Sequence, residues 1–412
     1  MATLVKPWSD GGNLTATYEG SGDGSAIFTS DEYEGIDRTM PIIFKDASES
    51  IVIERTVRQE GKRQQFRTKD GLVFRCAEGG RFGVLKPKGA LPYLTFEALE
   101  DGLTFSMTNS TIQYSLDGTT WVALPAGTTS MAINVGGKVY LKATGLTPNS
   151  SSGIGRFIIN KKCNLSGTPM SLLFGDEVDK YNDLTGYTYA LRQLFYSCSK
   201  IISVSDDFLP ATKLSSGCYY GMFMGCSSLT KAPKLVATKL GGTSYYYMFQ
   251  NCTSLEYPPE LPATTVGASE YRSMFQGCTA LKVAPSLPAT TLGSACYYDM
   301  FNGCKSLETT PLMPSQTLTA DCYGRMFMGC TSLKTAYLPA TKLAARCYSS
   351  TFNGCSSLNY IEAMFVTEPS SSYTSSWVNG VSSTGTFVKN REATWEVVGT
   401  DGIPNGWEVE YK

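Results

Sequence analysis

From residue 194 to residue 358 the apolar positions keep one frame. Phe195, Phe223, Phe249, Phe275, Phe301, Phe327 and Phe352 recur at intervals of 28, 26, 26, 26, 26 and 25 residues. Three residues after each stands a cysteine: Cys198, Cys226, Cys252, Cys278, Cys304, Cys330 and Cys355. Six residues after each stands Ile201 or a leucine: Leu229, Leu255, Leu281, Leu307, Leu333 and Leu358. Four residues before all but the first comes a tyrosine: Tyr219, Tyr245, Tyr271, Tyr297, Tyr323 and Tyr348. A period of this length predicts stacked coils, none of which can bury its apolar face without its neighbours.

The repeat reads as local structure too. Tyr219, Met222 or Phe223, and Cys226 lie at helical spacing, which predicts a short helix. Two residues after each phenylalanine from the second on stands Gly225, Asn251, Gly277, Gly303, Gly329 or Gly354, the residue types a left-handed C-cap accepts. An extended segment with proline follows, then Leu-Pro-Ala-Thr at 209–212, 261–264, 287–290 and 338–341. The first coil departs from the pattern, with Leu191 in the tyrosine slot. Terminal repeats often differ because they meet a cap.

Upstream the period shortens to that of strands. Residues 1–66 predict a small β module with strands near 14–18, 25–29, 40–44 and 51–58, separated by Gly, Asp and Ser clusters. Residues 67–90 read as a connector. With the residues just before it, this stretch is basic through Lys62, Arg63, Arg67, Lys69, Arg75, Arg81, Lys86 and Lys88. Its charge suits either a solvated linker or a docking segment for an acidic partner. Residues 91–175 predict a second β-sandwich that caps the solenoid. Its strands fall near 94–99, 103–107, 112–116, 121–124, 131–135, 139–143 and 156–159. Residues 176–372 hold about seven coils. Residues 373–412 read as a small terminal β cap, with strands near 385–388, 395–398 and 406–409. The expected fold is mainly β with short helices: N-terminal sandwich modules, a solenoid, and the cap.

Composition narrows the chemistry. The chain has no histidine, which excludes Ser-His-Asp and Cys-His catalysis and every His-ligated metal site. Lys+Arg 35 against Asp+Glu 36 leaves a net charge of −1, so nothing in the whole-chain charge favours nucleic acid or an anionic membrane. No stretch reaches the roughly 18 apolar residues of a membrane span, and no signal peptide is visible at the start. The thirteen cysteines are odd in number and mostly locked to the repeat, so they read as buried free thiols rather than disulfides. Neither a phosphate-binding loop nor a dinucleotide fingerprint is present; the glycines of 20–24 read as a turn. The acidic cluster Asp31, Glu32, Glu34 and Asp37 reads as a solvated loop or a calcium site. The pair Asp206 and Asp207 is the nearest approach to a glycosidase carboxylate pair. No enzyme and no cofactor is expected.

Met222-Phe223-Met224-Gly225-Cys226-Ser227-Ser228-Leu229 and its copies, with the Leu-Pro-Ala-Thr segments, resemble the BspA-like leucine-rich repeat family over about 180 residues. Arg38, the strand 39–44 and the segment from Thr56 to Gly61 resemble the BACON domain, a small immunoglobulin-like module. Such segments occur together in gut Bacteroidales and their crAss-like phages. The resemblance implies surface adhesion and host contact. The expectation is a virion-surface structural protein, a head or tail fibre or a capsid decoration, assembled in the host cytoplasm. Its N-terminal region would dock on other virion proteins, and its repeats would face a host glycan or protein. It implies no membrane insertion and allows a homotrimer. The alternative is a bacterial cell-surface adhesin or carbohydrate-binding protein.

If one face of the repeat binds, the slots that vary mark it. Three residues before the phenylalanine come Tyr220, Tyr246, Arg272 and Tyr298; the slots seven and eight residues after it also vary, the second holding Lys231 and Tyr257. Tyrosine and arginine are common anchors of recognition surfaces. Trp121, after the turn Asp117-Gly118, is a further candidate as a sugar platform, with core burial as its structural alternative.

Overall fold

The computed structural model describes residues 92–143, 145–146 and 153–412 in full, and eight strands by their backbone within 1–91. The chain divides into two compact units, Met1–Leu91 and Pro92–Lys412. In the first, β1 (Ala2–Pro7), β2 (Asn13–Tyr18) and β3 (Ala26–Ser30) form an antiparallel meander. A second meander runs through β4 (Arg38–Lys45), β5 (Ile51–Gln59), β6 (Gln65–Thr68), β7 (Val73–Cys76) and β8 (Phe82–Leu85). The stretch 67–90, expected as a connector, thus carries two of these strands and the end of a third. The acidic cluster 31–37 and the glycine turn 20–24 lie outside the described residues, as do the side chains of the basic stretch.

The second unit begins with β9 (Leu94–Ala98), β10 (Phe105–Met107), β11 (Ile112–Ser115), β12 (Val122–Leu124), β13 (Lys138–Lys142), β14 (Phe157–Ile159) and β15 (Cys163–Ser166). After the one-turn helix α1 (Ser171–Phe174) come β16 (Asp183–Leu184) and β17 (Ile201–Val204). One six-stranded sheet has the order β12-β11-β13-β9-β15-β17. Its last pairing, β15 with β17, is parallel and already belongs to the first coil. The sheet and the solenoid are therefore one hydrogen-bonded structure. The strand expected at 131–135 is reduced to a bridge between Ile133 and Leu103, because this segment pairs at single residues only.

The solenoid makes about nine turns and is a β-solenoid. Its coils do not contain the short helix that the spacing predicts. In each coil three residues, four apart, take left-handed φ: Gly217, Gly221 and Gly225, then Thr243, Tyr247 and Asn251, then Ser269, Ser273 and Gly277. A left-handed residue in every four cannot continue a right-handed helix. Successive four-residue turns also return every fourth side chain to one side, which is why tyrosine, phenylalanine and cysteine keep helical spacing without a helix. The backbone amides alternate. Those of Tyr219, Gly221, Phe223 and Gly225 donate to Ser244, Tyr246, Met248 and Gln250 of the next coil, whereas those of Tyr220, Met222, Met224 and Cys226 donate three residues back. The glycine or asparagine after the phenylalanine is left-handed as expected, from Gly225 to Gly354. From Gly303 on these glycines sit over one another coil by coil; a Cβ on Gly354 would stand in ordinary contact, 3.7 Å from Gly329 Cα, so it is the left-handed φ rather than crowding that favours glycine there.

Side chains stack in columns inside. Phe157 of β14 stacks on Phe195 at 5.5 Å, and the column continues through Phe223, Phe249, Phe275, Phe301 and Phe327 to Phe352 with ring centroids 5.5–5.7 Å apart. Beside it the tyrosines from Tyr219 to Tyr348 stack at 5.6–5.9 Å. Both columns, and the leucines from Leu229 to Leu358, are buried. Burying each such side chain contributes about 1.5–3 kcal/mol. The other side of the coil is tied by short parallel pairs: β16 with β18 (Lys213–Leu214), and β19 (Thr265–Val266) with β20 (Thr291–Leu292).

The C-terminal segment continues this side. A four-stranded parallel sheet runs through β21 (Thr335–Leu338), β22 (Tyr360–Ala363), β23 (Thr386–Lys389) and β24 (Glu408–Tyr411). The segment 395–398 is not a strand. Trp395 instead turns inward and stacks on Phe365 at 5.4 Å. Trp377, after the one-turn helix α2 (Ser371–Thr374), lies against both Tyr348 and Phe352 and so covers the two aromatic columns.

Candidate functional site

The coils stack in register, so the slot three residues before each phenylalanine becomes one column on the outer side of the turn run. Tyr220 and Tyr246 lie with ring centroids 5.2 Å apart and planes within 3°. The Arg272 guanidinium follows, 5.6 Å from the Tyr246 centroid and 4.6 Å from that of Tyr298. The slot thus brings together four of the residues singled out from the sequence. The structure adds three more. Arg192, in the same slot of the first coil, lies 4.4 Å from the Tyr220 ring, and Arg325 lies 5.9 Å from that of Tyr298. Tyr247 sets its edge against Tyr220 and Tyr246, and its hydroxyl accepts a hydrogen bond from Tyr246 at 3.2 Å. All seven side chains are half-buried. Gly324 is the next occupant of the slot, and the Tyr298 ring lies over it; a Cβ there would meet that ring at 2.7 Å.

Charge along this column is uneven. Arg325 pairs with Asp299 at 3.1 Å, and Arg346 grips Asp321 with two bonds of 2.9 and 2.6 Å. In both pairs the carboxylate occupies the same slot one coil earlier. Arg272 has a tyrosine on either side instead and no carboxylate partner among the described residues; its buried Nε–H, like that of Arg325, meets no hydrogen-bond acceptor. Burial holds the Tyr220 and Tyr246 hydroxyls above their usual range, against the pull of nearby arginines.

Lys231 and Tyr257 form a separate column. They bridge one another in adjacent coils, and Lys231 is paired with Asp206 at 2.7 Å. Tyr257 is exposed. Asp206 is thereby spent on a lysine, and Asp207 accepts from Ser205 at 2.9 Å. Trp121 stands in the first sheet region, where the Lys142 ammonium lies 4.1 Å over its ring. Lys142 donates to both Asp176 oxygens at 2.7 and 2.9 Å, and Tyr93 donates to the same carboxylate. The hydrogen bonds from Lys142 and Tyr93 hold the Asp176 carboxyl below its ordinary range, while burial and Asp176 push the Tyr93 hydroxyl up to about 12. The ring is half-buried with one face occupied by the ammonium, which is neither a free sugar platform nor full core burial.

The thiols do more than fill space. Cys226, Cys252, Cys278 and Cys304 each donate to the carbonyl of the phenylalanine one coil earlier, Phe195, Phe223, Phe249 and Phe275, at 3.1 Å. All twelve described cysteines are buried and unpaired. Burial pushes their thiols up, to about 12 for Cys198 and Cys355, so thiolate chemistry is suppressed. Among the described residues no cluster of His, Cys, Asp and Glu is arranged for a metal ion, and no helix is long and apolar enough to cross a membrane. A surface depression of about 370 Å³ is lined by Leu116, Ala132, Ile133, Asn134, Val135, Gly137 and Lys138, with Lys138 its one titratable side chain.

Together these features define a β-solenoid with one lateral column of tyrosine and arginine set on an otherwise repetitive core. Comparison of the chain with protein-family models, curated proteins and solved structures returns no match.

Proposed function

We propose that this chain is a non-enzymatic attachment protein whose solenoid is a stiff support for a lateral binding face. The observation that carries this reading is the contrast between two adjacent slots. The inner tyrosine slot repeats without change from Tyr219 to Tyr348, while the outer slot beside it runs Arg192, Tyr220, Tyr246, Arg272, Tyr298, Gly324, Ser349. Core packing requires the first and does not require the second. Following the sequence resemblance, the setting is the surface of a phage particle. Residues 1–91 would dock on capsid or tail proteins, and the solenoid would be presented to the host. The second setting is a bacterial surface adhesin, where the same face would act from the cell envelope.

The test uses the full chain, fluorescently labelled, against gut Bacteroidales cells. Binding is expected to saturate, and to fall several-fold in the double variant Tyr220→Ser, Tyr246→Ser. Serine already occupies this slot at Ser349, so the coil tolerates it. Equal binding by the variant, or no saturable binding to any strain, overturns the proposal. Antibody labelling of purified virions against cell envelopes separates the two settings.

A further inference from the structure

We propose that Arg272, held between Tyr246 and Tyr298, is the charge-reading centre of a site for an acidic polysaccharide, one carrying carboxylate or sulfate groups. This deepens the attachment reading above and rests on it. Two arginines further along the solenoid show how this fold treats a structural guanidinium: Arg325 and Arg346 each receive an aspartate in their own slot one coil earlier. Among the described residues Arg272 receives none. Glu270, two residues away, is no partner. Its side chain turns back into the coil, where Oε2 accepts from the Gly267 amide at 2.7 Å. Asp299, in the next coil, is committed to Arg325 and to the Asn302 amide.

The rings at 4.6 and 5.6 Å fix the guanidinium by cation–π contact but do not neutralise it. A fixed, half-exposed guanidinium without a carboxylate is a ready partner for an oxyanion, and a planar donor fork suits carboxylate and sulfate alike. The surroundings favour a sugar polymer over a protein. Tyr220 and Tyr246 cover each other's faces, so the column offers ring edges and hydroxyls rather than an apolar hollow for a side chain. Its members follow one another coil by coil, matching a linear ligand laid along the axis. The chain as a whole carries no positive excess that would favour nucleic acid.

The experiment measures binding of the full chain to alginate, dextran sulfate and uncharged dextran by calorimetry or biolayer interferometry at low and moderate salt. Binding to at least one acidic polymer and not to dextran is expected; alginate against dextran sulfate tells carboxylate from sulfate. Arg272→Tyr is the decisive variant, since tyrosine fills this slot in both neighbouring coils and the fold is preserved. It is expected to weaken acidic binding about tenfold or more, with Arg272→Lys retaining part of it. Equal binding to dextran, no binding to either acidic polymer, or an Arg272→Tyr variant that binds like the parent overturns the inference. Cell binding that persists in Arg272→Tyr but falls in the tyrosine double variant would sink this inference and leave the attachment reading standing.

Discussion

Glu270 is the residue most at odds with its place. Its slot, one before the inner tyrosine, holds Cys218, Ser244, Cys296, Cys322 and Cys347 in the other coils. There it is only 4% exposed, and burial holds its carboxyl above the ordinary range even though the Gly267 amide pulls the other way. A folded-state pKa raised above the unfolded value means the folded chain holds this proton more tightly. The resulting stability is present in full below the unfolded pKa and is lost as pH rises through the folded one. Glu270→Gln keeps an oxygen for Gly267 and removes the charge. The variant is expected to melt higher than the parent at pH 7, with the difference shrinking toward pH 4. A difference that does not depend on pH would contradict this account. The slot was readable as a repeat position; that its side chain closes a turn on the amide three residues back was not, because the left-handed residues that build the turn are as different as Thr243, Ser269 and Ala295.

Single coils show what periodicity can and cannot tell. The columns of phenylalanine, tyrosine, leucine and cysteine were legible because stacking requires the same side chain at the same place each time. The helix was not there to be found: runs of four-residue turns and an α-helix bring side chains to one side at the same interval, and apolar spacing cannot separate them. What does separate them is where the amides go, here to the next coil on every second residue. The outer slot was legible for a related reason, as variation inside constancy. Tyr247 escaped because it stands one residue further on, in a left-handed conformation with φ 60° that its neighbours do not announce. Arg192 escaped because its coil lacks the tyrosine that marks the frame. The cysteine column yields a test of the coil-to-coil bonds. Cys278→Ser keeps a second donor for the Phe249 carbonyl beside the Cys252 amide, whereas Cys278→Ala removes that donor and opens a small void. Urea denaturation is expected to rank parent, serine and alanine in falling stability, with alanine costing about 1–3 kcal/mol. Alanine as stable as serine would mean that the thiol acts by bulk alone.

At the scale of the molecule the second unit behaves as a one-dimensional stack closed at both ends. Phe157 starts the aromatic column and Trp377 covers it, so the sheet at one end and the loop at the other are parts of the same core. Stability in such a stack is roughly a sum over coils and their contacts. Removing one whole period, residues 303–328, joins Asn302 to Gly329 and keeps every slot in frame, with the column from Arg192 to Tyr298 intact. This shortened chain is expected to fold with a modestly lower melting temperature and to keep its binding. Removing residues 303–315 alone throws the later coils out of frame and is expected to give aggregated protein. Similar behaviour of the two deletions, by circular dichroism and gel filtration, would argue against independent stacking.

Every second amide of the turn run donates toward the C-terminal end, from Tyr189 to Gly354. Peptide dipoles aligned in this way add, as in a helix, but with the sense reversed: the positive pole lies at the later coils. The chain places an anion there. The Asp401 carboxylate accepts the Ser376 amide at 2.7 Å, while the carbonyls of Thr400 and Gly402 take the Val378 amide and the Trp377 indole. The Asp401 carboxylate thus offsets the positive pole that the aligned amides build at the later coils, and Asp401→Asn would leave that pole without its counter-charge.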